Sequence, residues 1–131
     1  MMFDNLKNNL AFYQKLAHLF YAIAMADKKM VIEEKKKIVL FVKKYWSTNL
    51  ENSHTEEIIY ETLRSLIKNK TTADEAFNTF KTYCIENKDL FTDEMVKKII
   101  ETSDAIAIAF GRGRNKSELI LLTKLTTLFQ K

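Results

Sequence analysis

The sequence predicts an all-α fold, a single-domain helical bundle of about six helices over residues 1–131, and three observations predict it. Apolar residues recur in steps of three and four along most of the chain, the spacing that lines one side of an α-helix. Hydroxyl residues followed three positions later by glutamate precede several of these stretches, and that pair starts helices. No segment alternates apolar and polar residues like a half-buried strand, and no low-complexity linker divides the chain. At 131 residues and 47% hydrophobic content it has the size and apolar content of one domain with one core.

Leu6, Leu10, Tyr13, Ala17, Phe20 and Ala24 put one apolar face on a first helix, residues 4–26. Residues 32–46 follow with Ile38, Phe41, Val42 and Tyr45 on one side, and the lysines and glutamates before Ile38 favour helix over strand. Ser53 and Glu56 form a capping box, so a third helix starts near His54 and turns Ile59, Leu63, Leu66 and Ile67 inward. Thr72 and Glu75 repeat the device and open a fourth, with Ala76, Phe77, Phe80, Tyr83 and Cys84 on its buried side. Thr92, followed by Asp93 and Glu94 where the helix dipole favours negative charge, caps a fifth helix that reaches Ala109. Asn115 and Glu118 cap the sixth, whose inner face is Leu119, Leu122, Leu125 and Phe129.

Composition narrows the classes of function. The longest apolar run, Leu19 to Ala26, is far shorter than a membrane-spanning helix, and the polar start lacks the apolar stretch of a signal peptide. A soluble, cytoplasmic protein is expected. The single cysteine, Cys84, cannot form an internal disulfide and sits among Phe80, Tyr83 and Ile85, where a buried structural thiol is expected. A net charge of +4 permits nucleic acid without implying it. Seven lysines lie between Lys28 and Lys44, but they spread around a helix rather than forming one stripe, which favours a solvated face over a nucleic-acid contact. Glu51 and His54 have Glu-x-x-His spacing in a single copy that overlaps a cap, and His18 reads as a core or boundary histidine. With no zinc-protease, nucleophile-elbow or phosphate-loop motif, the expectation is a non-enzyme.

An internal repeat organises the rest. Residues 22–26 and 105–109 match at four of five positions, as Ala22, Ile23, Ala24 and Ala26 against Ala105, Ile106, Ala107 and Ala109. One inserted residue in the following loop then aligns Glu34 with Glu118, Ile38 with Leu122, Phe41 with Leu125 and Tyr45 with Phe129. Two pseudo-symmetric helix-loop-helix units are predicted.

A helix ending in Ala-Ile-Ala-Met-Ala-Asp27, a short loop and then Glu33 and Glu34 resembles the TerB-like domain of tellurite-resistance proteins, and the likeness extends over most of the chain. Asp27, Glu33 and Glu34 match the first motif of that family, with Lys28 where glycine is usual; Gly111 and Glu118 match the second, with Phe110 in place of the aspartate. The resemblance implies an all-helical module linked to tellurite or stress tolerance that binds a divalent cation through such acids. Calcium wants ~6 to 8 oxygens, and Asp27, Glu33 and Glu34, joined by Asp104 if the repeats pack together and by the matching Glu118, are the expected ligands.

The second loop inverts the sign. It holds both glycines of a chain that has no proline, Gly111 and Gly113, with Arg112, Arg114 and Lys116 around them. Glycines before a helix whose first amides are free, with cations beside them, make an anion-binding arrangement. The alternative to a metal module is therefore a protein-interaction scaffold that has lost the metal, its basic loop taking an anion, an acidic partner or, less favoured, nucleic acid. Arg112 or Arg114 pairing internally with Asp27 or Glu34 is a further expectation, since a guanidinium meets a carboxylate with two hydrogen bonds.

Overall fold

A computed structural model describes residues 2–25, 38, 40, 54–111 and 116–129. Among them are five α-helices and no strand: α1 (Met2–Ala24), α2 (His54–Lys68), α3 (Ala73–Glu86), α4 (Asp93–Gly111) and α5 (Lys116–Phe129), with a 3₁₀ turn at Lys88–Leu90. The expected helix over 32–46 is described only at Ile38, helical and fully buried, and at Leu40, helical and exposed. The other residues of that segment, and Ser53 of the proposed cap, lie outside the described residues.

The organising element is α1, which packs against α2, α3, α4 and α5. The expected single face is only part of its buried surface. Ala17, Phe20 and Ala24 are inside as predicted, but so are Leu16, Leu19, Tyr21, Ala22 and Ile23. From Leu19 to Ala24 every position is buried. A helix that is apolar all round has no side to give to water, so the run that begins at Leu19 is enclosed by its neighbours. Alanines at 17, 22 and 24 let those neighbours approach toward the short end of the ~8–10 Å range of helix separations. Helix α1 also packs on α4, and Ala22 and Ala24 of α1 and Ile106 and Ala107 of α4 are all buried.

Local chemistry sets the joint between α2 and α3. Helix α2 ends in a Schellman arrangement in which the Thr71 amide donates to the Leu66 carbonyl at 3.0 Å and the Lys70 amide to that of Ile67 at 3.1 Å. Lys70 takes the left-handed conformation this demands, at φ 54°. The predicted capping box follows immediately: the Glu75 amide donates to Thr72 Oγ1 at 3.1 Å, and the Thr72 amide to Glu75 Oε1 at 3.0 Å. Hydrogen bonds to the carboxylate from the Thr72 amide first, and from the Thr72 hydroxyl second, hold the Glu75 carboxyl below its usual range. From the core, the Tyr21 hydroxyl of α1 donates to the Thr71 carbonyl and so ties the joint to the central helix. Lys70→Gly is expected to stabilise the domain by about 1 kcal/mol, because glycine meets no Cβ penalty in that conformation. A urea melt that shows no gain would mean the lysine is already unstrained.

Helix α3 buries Ala76, Phe77, Phe80, Tyr83 and Cys84, the face predicted for it. Its end is closed by Asn87, whose backbone amide and Nδ2 both donate to the Tyr83 carbonyl, at 2.9 and 3.0 Å. Thr92 caps α4 as predicted, accepting from the Met95 amide at 3.2 Å, and α4 runs on to Gly111. Helix α5 packs most of its expected face, and more besides, against the core. Leu121 and Leu125 are buried while Leu122, Leu128 and Phe129 are half-buried. Leu122, Leu125 and Phe129 of the expected face are thus joined by Leu121 and Leu128, while the side chain of Leu119 lies outside the described residues.

Candidate functional site

Four of the predicted site residues fall on described helices. Asp104 is half-buried on α4, beside the fully buried Thr102 and Ser103. The Thr102 hydroxyl donates back to the Lys98 carbonyl at 2.8 Å, whereas the buried Ser103 hydroxyl has no hydrogen-bond partner among the described residues. Gly111 closes α4, Lys116 opens α5, and Glu118 stands in the first turn of α5. Asp27, Glu33, Glu34, Arg112, Gly113 and Arg114 lie outside the described residues, and with them the expected pairing of an arginine with Asp27 or Glu34. Among the described residues no three His, Cys, Asp or Glu side chains come together as a metal-holding group.

Two concave sites do appear, neither of which the motifs announced. The first is an open groove of about 570 Å³ between α1 and α2, with Gln14 and His18 on one wall and Glu57, Ile58, Glu61, Thr62, Ser65 and Leu66 on the other. His18 Nδ1 lies 2.8 Å from the Gln14 carbonyl. A carbonyl only accepts, so the bond places the proton on Nδ1 and leaves the lone pair on Nε2. Burial lowers the histidine's pKa, the carbonyl contact opposes that, and Lys15 lowers it further. The imidazole is therefore neutral at pH 7, a boundary histidine as expected. Across the groove Glu61 pairs with Arg64 at 3.8 Å, an exposed contact worth little.

The second is a cavity of about 440 Å³ at the far end of α3, lined by Cys84, Ile85, Lys88, Phe91, Asp93, Val96, Leu128 and Phe129. Four elements build it: the last turn of α3, the 3₁₀ turn, the first turn of α4 and the last turn of α5. Its floor is aromatic. Phe91 is the hub, with ring centroids 5.8 Å from Phe12, 6.1 Å from Phe80, 6.2 Å from Tyr83 and 5.5 Å from Phe129. Most of these pairs are tilted or edge-to-face, as ring quadrupoles favour. Cys84 is buried beneath, and desolvation pushes its thiol up to about 12, so it is a protonated apolar wall rather than a nucleophile.

A signal for this cavity exists in the sequence. With Thr92 as the cap, Phe91 and Val96 occupy the positions on either side of a helix start where apolar residues clasp the entering chain, and both line the cavity. Nothing in the spacing says that Leu128 and Phe129, on a distant segment, complete it. Comparison with protein-family models, curated proteins and solved structures yields no significant match.

Proposed function

We propose that the chain is a non-enzymatic TerB-like helical module that takes a divalent cation, calcium or another hard ion, through Asp27, Glu33, Glu34, Asp104 and Glu118, and works through protein partners in a cytoplasmic stress or tellurite response. The direct packing of α1 on α4 carries this reading. Asp27 follows the end of α1 by three residues, and Asp104 stands on α4 just before the buried pair Ile106 and Ala107. Asp104 thus belongs to an element anchored in the core, and Asp27 follows such an element closely in sequence, which favours a preorganised ligand set. At an ion concentration ~100-fold above Kd, binding adds about 2.7 kcal/mol, roughly 8 °C in Tm for a domain of this size. Millimolar calcium or manganese should therefore raise the melting temperature by several degrees, and Asp27→Asn should abolish the rise. No shift with calcium, manganese, magnesium or zinc would reject the metal module.

The second reading, an interaction scaffold without the metal, is favoured by the short connection that leaves Gly111 and enters α5 at Lys116. It puts the basic sequence of Arg112 and Arg114 directly before a helix amino terminus, where anions are stabilised. Binding of an acidic peptide that weakens steeply with salt, in a protein indifferent to divalent ions, would select it.

A further inference from the structure

We infer that the cavity between the ends of α3 and α5 and the start of α4 is a binding site for a small amphipathic acid, a medium-chain aliphatic or aromatic carboxylate. None of its described lining residues belongs to the acidic and basic loops of the functional proposal, and the inference does not depend on that proposal.

Size and lining set the class of ligand. At about 440 Å³ the cavity falls within the ~300–1,000 Å³ of small-molecule sites. Its walls are chiefly the side chains of Cys84, Ile85, Phe91, Val96, Leu128 and Phe129. Ile85 is 52% exposed although the rest of α3's apolar face is buried, and Phe91, Leu128 and Phe129 are only half-buried against the core. Apolar surface from three segments therefore meets water in one concavity, and a hydrocarbon body would cover it.

The rim sets the ligand's charge. Among the described residues its two charged ones are Lys88 and Asp93. Asp93 is the first residue of α4, where the helix dipole stabilises its carboxylate, and the Asp93 and Glu94 amides have no acceptor among the described residues. Lys88 has no comparable compensation. The Tyr83 and Cys84 carbonyls in the last turn of α3 already accept from Asn87, and Lys88 has no ion-pair partner among the described residues. Its long stem also lets the ammonium swing over the mouth, which the short Asp93 side chain cannot do. The rim thus offers an unpaired cation, so the polar end of the ligand is an anion.

The test is calorimetric titration of the full chain with decanoate, decanol and decylamine. Decanoate is expected to bind with a Kd on the order of 0.1 mM, the range reached by a ligand of about a dozen heavy atoms. Lys88→Met should weaken decanoate by about 5- to 10-fold and leave decanol within about 2-fold, as loss of one partly exposed charge contact predicts. Val96→Phe, which fills the cavity, should abolish both. Ile85→Asp, at an exposed position that the fold does not need, should weaken decanoate by about 5-fold or more while circular dichroism and Tm stay unchanged. No binding of decanoate to the native chain at millimolar concentration overturns the inference. So does decylamine binding as tightly as decanoate, or decanoate binding indifferent to both Ile85→Asp and Lys88→Met.

Discussion

Phe80→Ala is expected to destabilise the domain by about 3–5 kcal/mol, the cost of removing a fully enclosed aromatic ring from a core that relaxes only in part. Phe80 is completely buried and stands edge-to-face with Phe91 at 6.1 Å and with Phe129 at 6.4 Å. Its loss removes apolar burial and two ring contacts at once. A domain has only about 5–15 kcal/mol of stability in total, so the variant should be partly unfolded at 37 °C. Phe80→Leu, which keeps most of the volume, should cost about 1–2 kcal/mol. Urea denaturation of the three proteins measures both differences, and a cost below about 1.5 kcal/mol for the alanine variant would show that the aromatic cluster collapses around the gap. Because Phe91 and Phe129 also floor the cavity, any stable fraction of Phe80→Ala should bind decanoate less well.

Stability is expected to fall as pH rises above 9. Burial holds the Cys84 thiol up to about 12, from an ordinary value of 9.0. Burial likewise raises the hydroxyls of Tyr13, Tyr21 and Tyr83, with the Glu75 charge adding to the effect at Tyr21 and Cys84 to that at Tyr83. These groups keep their protons longer when folded than when unfolded. Above pH 9 the unfolded chain therefore binds fewer protons than the native one, and stability falls as pH rises. The thiol's share is fully present below pH 9 and disappears by about pH 12. One such group contributes at most ~1.4 kcal/mol per pH unit, so roughly 2 kcal/mol should be lost between pH 8 and pH 10.5, before the tyrosines are counted. Cys84→Ala should start less stable at pH 7 and show a shallower decline. An equal slope in the two proteins would move the effect to the tyrosines. On the acid side, Glu75 and His18 have lowered values, so their contributions are present at neutral pH and lost as pH falls.

What the sequence made legible was local. Thr72 with Glu75, and Thr92 before Asp93, were readable because a cap is a contact between residues three apart. The buried face of α3 was readable because polar residues separate its apolar ones cleanly. Helix α1 was read as one-faced, since periodicity finds a stripe even in a helix that is enclosed on every side. In α5 the face through Leu122, Leu125 and Phe129 was readable but the burial of Leu121 was not, since only packing against neighbours decides how wide a leucine stripe is covered. The cavity escaped notice for the same reason: its floor joins Phe91 to Phe129 across an intervening helix, and Lys88 looks in the sequence like any charged loop residue. The acidic and arginine loops were prominent as motifs, yet of their residues only Asp104, Gly111, Lys116 and Glu118 belong to described helices.

The placement of α1 also governs how the chain reaches its fold. It precedes the other described helices and packs against each of them, including α5, whose residues follow it by roughly a hundred positions. A bundle assembled from neighbouring hairpins could fold piece by piece, whereas here the earliest helix keeps a sticky, water-facing side until the final one arrives. Closing so long a loop is entropically slow to begin with. Folding should accordingly be later and more concerted than helix content alone suggests, and on the ribosome the nascent amino-terminal half is the stretch that chaperones would have most reason to hold.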